Sequence, residues 1–212
     1  FYTMENKFVP TSIESQSSCW GPFLWQSKLL PTIVEEILKR ADSVRGNPKY
    51  NAQHKLAGIM KDEWDFKEDD REWIKEALFP WVHTYLGSYS DMSGENYREV
   101  SHDFVDLWVN YQKQYDFNPL HNHGGSLSFV LYLNVPQEII EEPTAWENTR
   151  GHKPGQIVFT YGEDMPMICN QRVYTPNTGD IFIFPAWLQH MVIPFKTPDV
   201  ERISVSGNII FV

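Results

Sequence analysis

"GDIFIFPAWLQHMVIPF", residues 179–195, decides how the second half of the chain is read. A Gly-Asp turn leads into an apolar run, Pro185 and Trp187 interrupt it, and His190 stands at the mouth of a second apolar run. Apolar runs this short, bounded by Gly and Pro, read as buried strands rather than helical turns. The same texture extends in both directions: "DFVDLWVNYQ", "SLSFVLYLNV", "GQIVFTYG", "MICNQRVYT" and "RISVSGNIIFV" are short, β-branched and aromatic, and punctuated by Gly, Pro and Asn. Such side chains fit a pleated, half-buried surface, and strands at this spacing predict a sandwich or jelly roll over residues 101–212.

The first hundred residues have a different period. "LPTIVEEILKRADS" carries Ile33, Val34, Ile37, Leu38 and Ala41 at helical spacing, and Thr32 with Glu35 has the pattern of a capping box. Asp69, Asp70 and Glu72 open a second helix whose stripe is Trp73, Ala77, Leu78, Trp81, Val82 and Tyr85, with a kink expected at Pro80. Both stripes need a surface to cover, and the sheets supply one. The expectation is therefore a single domain over 1–212, mainly β, with 1–100 as helical support and flanking strands and 101–212 as the core that carries the site. His54, His83, His102 and His152 lack partner spacing and read as structural or surface residues.

Composition narrows the classes. Hydrophobic residues make up 42% and aromatic residues 15%, a globular composition. A net charge of -10, from 18 basic and 28 acidic residues, opposes general nucleic-acid binding. Cys19 and Cys169 are too far apart and too few for a cysteine-ligated metal or a disulfide scaffold. No long uncharged apolar run and no signal-peptide pattern at the start point to a soluble, cytoplasmic protein without membrane contact. Oligomeric state stays open, with a homodimer among the options.

Chemistry concentrates in three places. In "LHNHGGSLS", residues 120–128, His121 and His123 are two apart, so in extended chain they point the same way, a spacing suited to chelation. A third ligand is needed, and His190 is the candidate. In "RISVSGNIIF", Arg202, Ser204, Ser206 and Asn208 share one face while Ile203, Val205 and Ile209 occupy the other. An inward-facing guanidinium requires an anion. A protein carboxylate and a carboxylate-bearing cosubstrate both answer that requirement.

The order H-x-H, "LSFVLYLNVP", "GDIFIFPAWLQH" and then R-x-S resembles the iron(II)- and 2-oxoglutarate-dependent oxygenases, in particular the small prolyl-hydroxylase-like group of bacteria and phages. The resemblance covers about residues 104–211. It implies a double-stranded β-helix, that is, a cupin-like jelly roll flanked by supporting helices. It further implies Fe(II) held by His121 and His190, with Arg202 and Ser204 on the distal carboxylate of 2-oxoglutarate and Tyr132 and Asn110 beside the cosubstrate. The activity implied is a dioxygenase that couples oxidative decarboxylation of 2-oxoglutarate to hydroxylation of a peptide or small molecule, a peptidyl proline being one candidate.

Position 123 departs from the pattern, since His123 stands where the usual facial triad has a carboxylate. Either His123 is the third ligand, or a carboxylate such as Asp103, Asp106 or Asp116 completes the set. Two other readings remain at this stage: a three-histidine zinc enzyme and a noncatalytic jelly-roll binding or structural module. Trp108, Phe184 and Trp187 are candidate walls that keep the site dry, and the loops "YSDMSGENYREVSH" and "QEIIEEPTAWENTRGHKPG" are candidates for substrate selection.

Overall fold

The computed structural model describes residues 12–19, 21–53, 60–143 and 151–212. Along the chain its strands are β1 (Ser15–Cys19), β2 (Phe23–Lys28), β3 (Glu63–Asp65), β4 (His102–Gln112), β5 (Asn118–His121), β6 (Leu127–Asn134), β7 (Ile157–Thr160), β8 (Gln171–Tyr174), β9 (Asp180–Pro185), β10 (Gln189–Val192) and β11 (Arg202–Phe211). They form two antiparallel sheets. The larger has the order β1-β2-β9-β6-β11-β4-β3 and the smaller β5-β10-β7-β8. Two facing sheets whose strands cross from one to the other make the jelly roll expected from the strand pattern.

Strand alternation sorts the side chains of the large sheet into two cores. Leu127, Phe129 and Leu131 of β6, Ile181 and Ile183 of β9, and Ile203, Val205 and Ile209 of β11 face outward onto the helices. Their neighbours Val130, Tyr132, Phe182 and Phe184 face the small sheet and pack with Ile157, Phe159 and Leu188. Each strand is apolar on both faces because each face is covered. On β4 and β11 the face toward the small sheet is instead polar, with Asn110, Gln112, Arg202, Ser204 and Asn208 all buried. A polar wall inside a closed fold is where a ligand belongs.

Two helices cover the outer face. α1 (Pro31–Asp42) buries Ile33, Val34, Ile37 and Ala41. Its N-cap is Leu30, with Pro31 following and no side-chain cap, so the capping box expected at Thr32 does not form. Pro31 explains the difference: its fixed φ suits the first helical position and places the N-cap at Leu30, two residues before Thr32. α2 (Glu68–Ser93) begins with Glu68, Asp69 and Asp70, complementary to the helix dipole, runs on through Pro80, and ends at Gly94 with φ 76°. Trp81, Tyr85 and Leu86 from α2 enter the same core as Trp25 and Phe23 of β2. No helix among the described residues is long and apolar enough to cross a membrane.

Candidate metal centre

His121 and His190 are direct cross-strand partners in the β5–β10 pairing. That register puts the end of one strand against the start of the next, so the two imidazoles approach from adjacent backbones. His121 Nδ1 lies 2.6 Å from the Pro119 carbonyl oxygen and His190 Nδ1 lies 3.0 Å from that of Leu188. A carbonyl only accepts, so in both rings Nδ1 carries the proton and Nε2 presents its lone pair. His123 follows β5 in the glycine-containing turn, tethered by its N–H to the Ala186 carbonyl at 2.9 Å. Gly125 makes that turn with φ 101°, and a Cβ there would stand 3.0 Å from the Ile209 carbonyl oxygen.

The Nε2 atoms of His123 and His190 are 3.3 Å apart, and ligand atoms from all three histidines lie within 4.8 Å of one another. Two nitrogens each about 2.1 Å from one ion, at angles between tetrahedral and octahedral, stand about 3.0–3.4 Å apart. The histidines therefore fit a first-row divalent metal. Burial keeps them uncharged: desolvation lowers His121, takes His123 down to about 4 and takes His190 down to about 3, and for the latter two the charge of the neighbouring rings adds to it. Neutral imidazole is the form that binds metal. Among the described residues this is the group of His, Cys, Asp and Glu placed for an ion, and no carboxylate joins it. Asp103 is engaged by Lys75 at 3.3 Å, Asp106 by Asn208 at 3.1 Å, and Asp116 by the Lys113 N–H at 3.0 Å.

Next to the histidines the cavity continues to Arg202, and its walls include Asn110, Gln112, Tyr132 and Ser204. Ser204 is the cross-strand partner of Tyr132 on one side and of Asn110 on the other, so three residues singled out in the sequence form one row across β6, β11 and β4. Arg202, opposite Gln112 in the next row, is 3% exposed. Its Nη1 donates to the Gly155 carbonyl at 2.5 Å and its guanidinium stands 5.4 Å from the centre of the Tyr132 ring. No carboxylate pairs with it among the described residues, and desolvation lowers its pKa. Arg202 Nε, Tyr132 OH, Asn110 Oδ1 and Gln112 Oε1 are all buried without a partner. Arg202 Nε and Tyr132 OH are unsatisfied donors, one of them on a cation with no carboxylate partner among the described residues, so this end of the cavity suits a polar anion, whereas Asn110 Oδ1 and Gln112 Oε1 are acceptors that call for a donor.

All seven residues expected at the site thus meet in one cavity. Gln112 and Met60 line it as well and were not singled out. Gln112 was legible, since it continues the Asn110 face of β4, whereas Met60 arrives from a connection whose path the sequence does not encode. Of the expected walls, Trp108 lies 5.8 Å from the His123 ring and Phe184 4.9 Å from the His190 ring. Trp187 does not serve: it is 51% exposed and leans on Tyr161 at the surface. The tight turn between β9 and β10 carries its side chain outward. Part of the loop over 137–155 and His54 fall outside the described residues.

Residues 106–208 match a family profile described as "Putative 2OG-Fe(II) oxygenase". No curated protein matches the chain. Among solved structures it is similar to a prolyl-4-hydroxylase from Pseudomonas putida, at 16% identity and TM-score 0.55 over 87% of this chain and 90% of the other. It is likewise similar to a viral collagen prolyl hydroxylase from Paramecium Bursaria Chlorella virus-1, solved with 2OG, at 16% identity and TM-score 0.57 over 90% and 97%. A third similarity is to the non-heme alpha ketoglutarate dependent epimerase SnoN from nogalamycin biosynthesis, at 15% identity and TM-score 0.57 over 88% and 77%. At these identities the solved structures show a shared fold.

Proposed function

We propose that the chain is a 2OG-Fe(II) oxygenase, a reading supported by the family-profile match over residues 106–208, and that it acts as a hydroxylase that uses Fe(II) and 2-oxoglutarate, with His121, His123 and His190 as metal ligands and Arg202 as the anchor of the cosubstrate. The observation that carries this reading is Arg202: a buried guanidinium with no carboxylate partner among the described residues, in the same cavity as three convergent imidazoles. A dicarboxylate that reaches from the histidines to Arg202 answers both features at once.

Each residue then has a stated task. The Pro119 and Leu188 carbonyls hold the His121 and His190 tautomers so that Nε2 faces the ion. Arg202 binds the distal carboxylate of 2-oxoglutarate, and the Ser204 hydroxyl, one cross-strand row away, donates to it. Tyr132 OH, unpaired and buried, is a further donor to that carboxylate, and Asn110 borders the same cavity. Phe159 and Phe184, 5.9 and 4.9 Å from the His190 ring, exclude water behind the ligands. Iron, when bound, supplies the oxygen chemistry that couples decarboxylation of 2-oxoglutarate to oxidation of the substrate. The protein contributes position, charge and dryness. A peptide, including a prolyl peptide, or a small molecule is the primary substrate.

A three-histidine zinc enzyme is the second reading, favoured by the metal group's containing no carboxylate among the described residues. It leaves Arg202 without a role. Metal analysis of the purified protein, followed by anaerobic calorimetric titration with 2-oxoglutarate, separates the two. The oxygenase reading expects metal-dependent binding of one equivalent; bound zinc with no response to 2-oxoglutarate would overturn it.

A further inference from the structure

Glu63 is a buried acid to which the metal centre and the Arg202 cavity have so far given no task. It is 2% exposed, and among the described residues no hydrogen bond or ion pair reaches its carboxyl. β3 places it directly opposite Asn110 of β4, which stands opposite Ser204 of β11, itself opposite Tyr132 of β6. Cross-strand partners point to one face, so Glu63 is the fourth member of a row whose other three line the cavity. The charged groups around it supply no counter-ion among the described residues. Asp116, between β4 and β5, is a like charge. Asp62, the residue before it, is taken by Arg45 at 2.6 Å and Lys113 at 3.2 Å, and Asp65, two residues on, is a further acid with a partner of its own. On the cavity side the cation is Arg202 of β11, two strands away, or about 10 Å at ordinary strand spacing.

The strand beside this acid carries two amide oxygens that lack a donor. Asn110 gives its Nδ2 to Ser206 Oγ at 3.5 Å, which leaves Oδ1 buried and unpartnered. Gln112, next on the same face of β4, gives Nε2 to the Asp116 carbonyl at 2.5 Å and leaves Oε1 in the same condition. An ionised carboxylate would set a third acceptor, and a charge, against these two. A neutral carboxyl has the O–H that the group lacks. Burial, with the Asp116 charge adding, raises Glu63 to about 7, so the neutral form is the one present through the acid side of neutrality.

2-Oxoglutarate brings two negative charges to this row. Before it binds, the Arg202 charge favours an ionised Glu63; once the dicarboxylate has neutralised Arg202, an ionised Glu63 meets net negative charge instead. We propose that Glu63 is a positioning residue of the cosubstrate site: its neutral carboxyl donates to Asn110 Oδ1 and fixes that amide beside the ligand, and 2-oxoglutarate binding draws a proton from solvent onto it. The site is then tight while Glu63 is neutral and weaker once Glu63 ionises. A carboxylate about 10 Å from the bound anion, across an interior of effective dielectric about 20, weakens binding about tenfold. The identity of the ligand rests on the oxygenase reading; the need of Asn110 Oδ1 for a proton does not.

The test is calorimetric titration of 2-oxoglutarate into the full chain loaded with Mn(II), from about pH 6 to about pH 8.5, in pairs of buffers that differ in ionisation enthalpy. Both carboxyls of 2-oxoglutarate are ionised throughout and metal-held imidazoles stay neutral, so proton uptake reports another group of the protein. The expected result is uptake of about half a proton near neutral pH and a loss of affinity of about tenfold across the range. In Glu63→Gln, whose amide donates to Asn110 Oδ1 without titrating, the uptake disappears and the affinity no longer falls with pH. In Asp116→Asn, which removes the like charge, the fall moves to lower pH. Binding without proton uptake would overturn the proposal, as would uptake that persists in Glu63→Gln or, where that variant does not fold, a pH profile that Asp116→Asn leaves unmoved. No binding at any pH would overturn the oxygenase reading and this inference with it, so the two failures are distinguishable.

Discussion

Replacing Arg202 by Met asks whether its charge serves folding or ligand binding, because the two roles give opposite signs. A buried guanidinium loses its hydration at a cost of several kcal/mol. Against that cost Arg202 has one hydrogen bond to the Gly155 carbonyl and the face of the Tyr132 ring. These are worth about 1.5–3 kcal/mol and about 1–2 kcal/mol. The sum is close to zero, so Arg202→Met should leave the metal-free protein within about 1 kcal/mol of its original stability by urea denaturation. Breaking a buried protein salt bridge would instead cost about 3–5 kcal/mol. For 2-oxoglutarate the same substitution removes a desolvated charge pair worth about 2–5 kcal/mol, or a loss of about 30- to 5,000-fold in affinity. Calorimetry on the metal-loaded variant reads that loss. A variant strongly destabilised in the metal-free state that still binds 2-oxoglutarate normally would refute the assignment.

Three further perturbations test other parts of the account. His190→Ala should weaken divalent metal binding by at least about 100-fold, measured as retained metal after dialysis, since it removes a ligand and not merely a group behind one; full metal content would remove His190 from the centre. Burial, with the Asp116 charge adding, raises Glu63 from 4.5 to about 7. Its folded pKa is therefore above its unfolded one, so the stability it contributes is complete below about 4.5 and is lost as pH rises through about 7. Glu63→Gln should flatten that decline in urea midpoints between pH 4.5 and 7, and an unchanged slope would show that Glu63 is not the group responsible. Gly207→Ala should destabilise the protein by about 1–3 kcal/mol, because a Cβ there would meet Phe129 Cε1 at 2.6 Å and the Asp106 carbonyl oxygen at 2.7 Å; a neutral effect would mean the β4–β11–β6 packing is looser than described.

How far the sequence carried this reading depends on the range of the signal. β11 was legible in full, because its inward Arg202, Ser204 and Asn208 and outward Ile203, Val205 and Ile209 follow the two-residue period that any buried strand must keep. The seven strands expected from residue 101 onward are all present. β1 was missed because "SQSSC" is an edge segment of small polar residues without an apolar face, and β3 because three residues are too few to show a period. Thr32 misled through a local pattern that Pro31 overrides. The convergence of His121 with His190 depends on the β5–β10 register, which no local signal encodes; the order of motifs supplied it by resemblance. The pairing of β3 with β4 was invisible for the same reason, since Glu63 and Asp65 come opposite Asn110 and Trp108 only through strand register.

The central claim is that the three histidines and Arg202 hold the two halves of one reaction, the metal and the oxo acid. It is tested most directly by a single-turnover experiment: protein is loaded anaerobically with one equivalent of Fe(II) and one of 2-oxoglutarate, then exposed to oxygen, and succinate is quantified. The expected result is succinate formed in proportion to bound iron, abolished by His190→Ala and reduced at limiting 2-oxoglutarate by Arg202→Met. Bound iron and bound 2-oxoglutarate that give no succinate above a protein-free control would contradict the account.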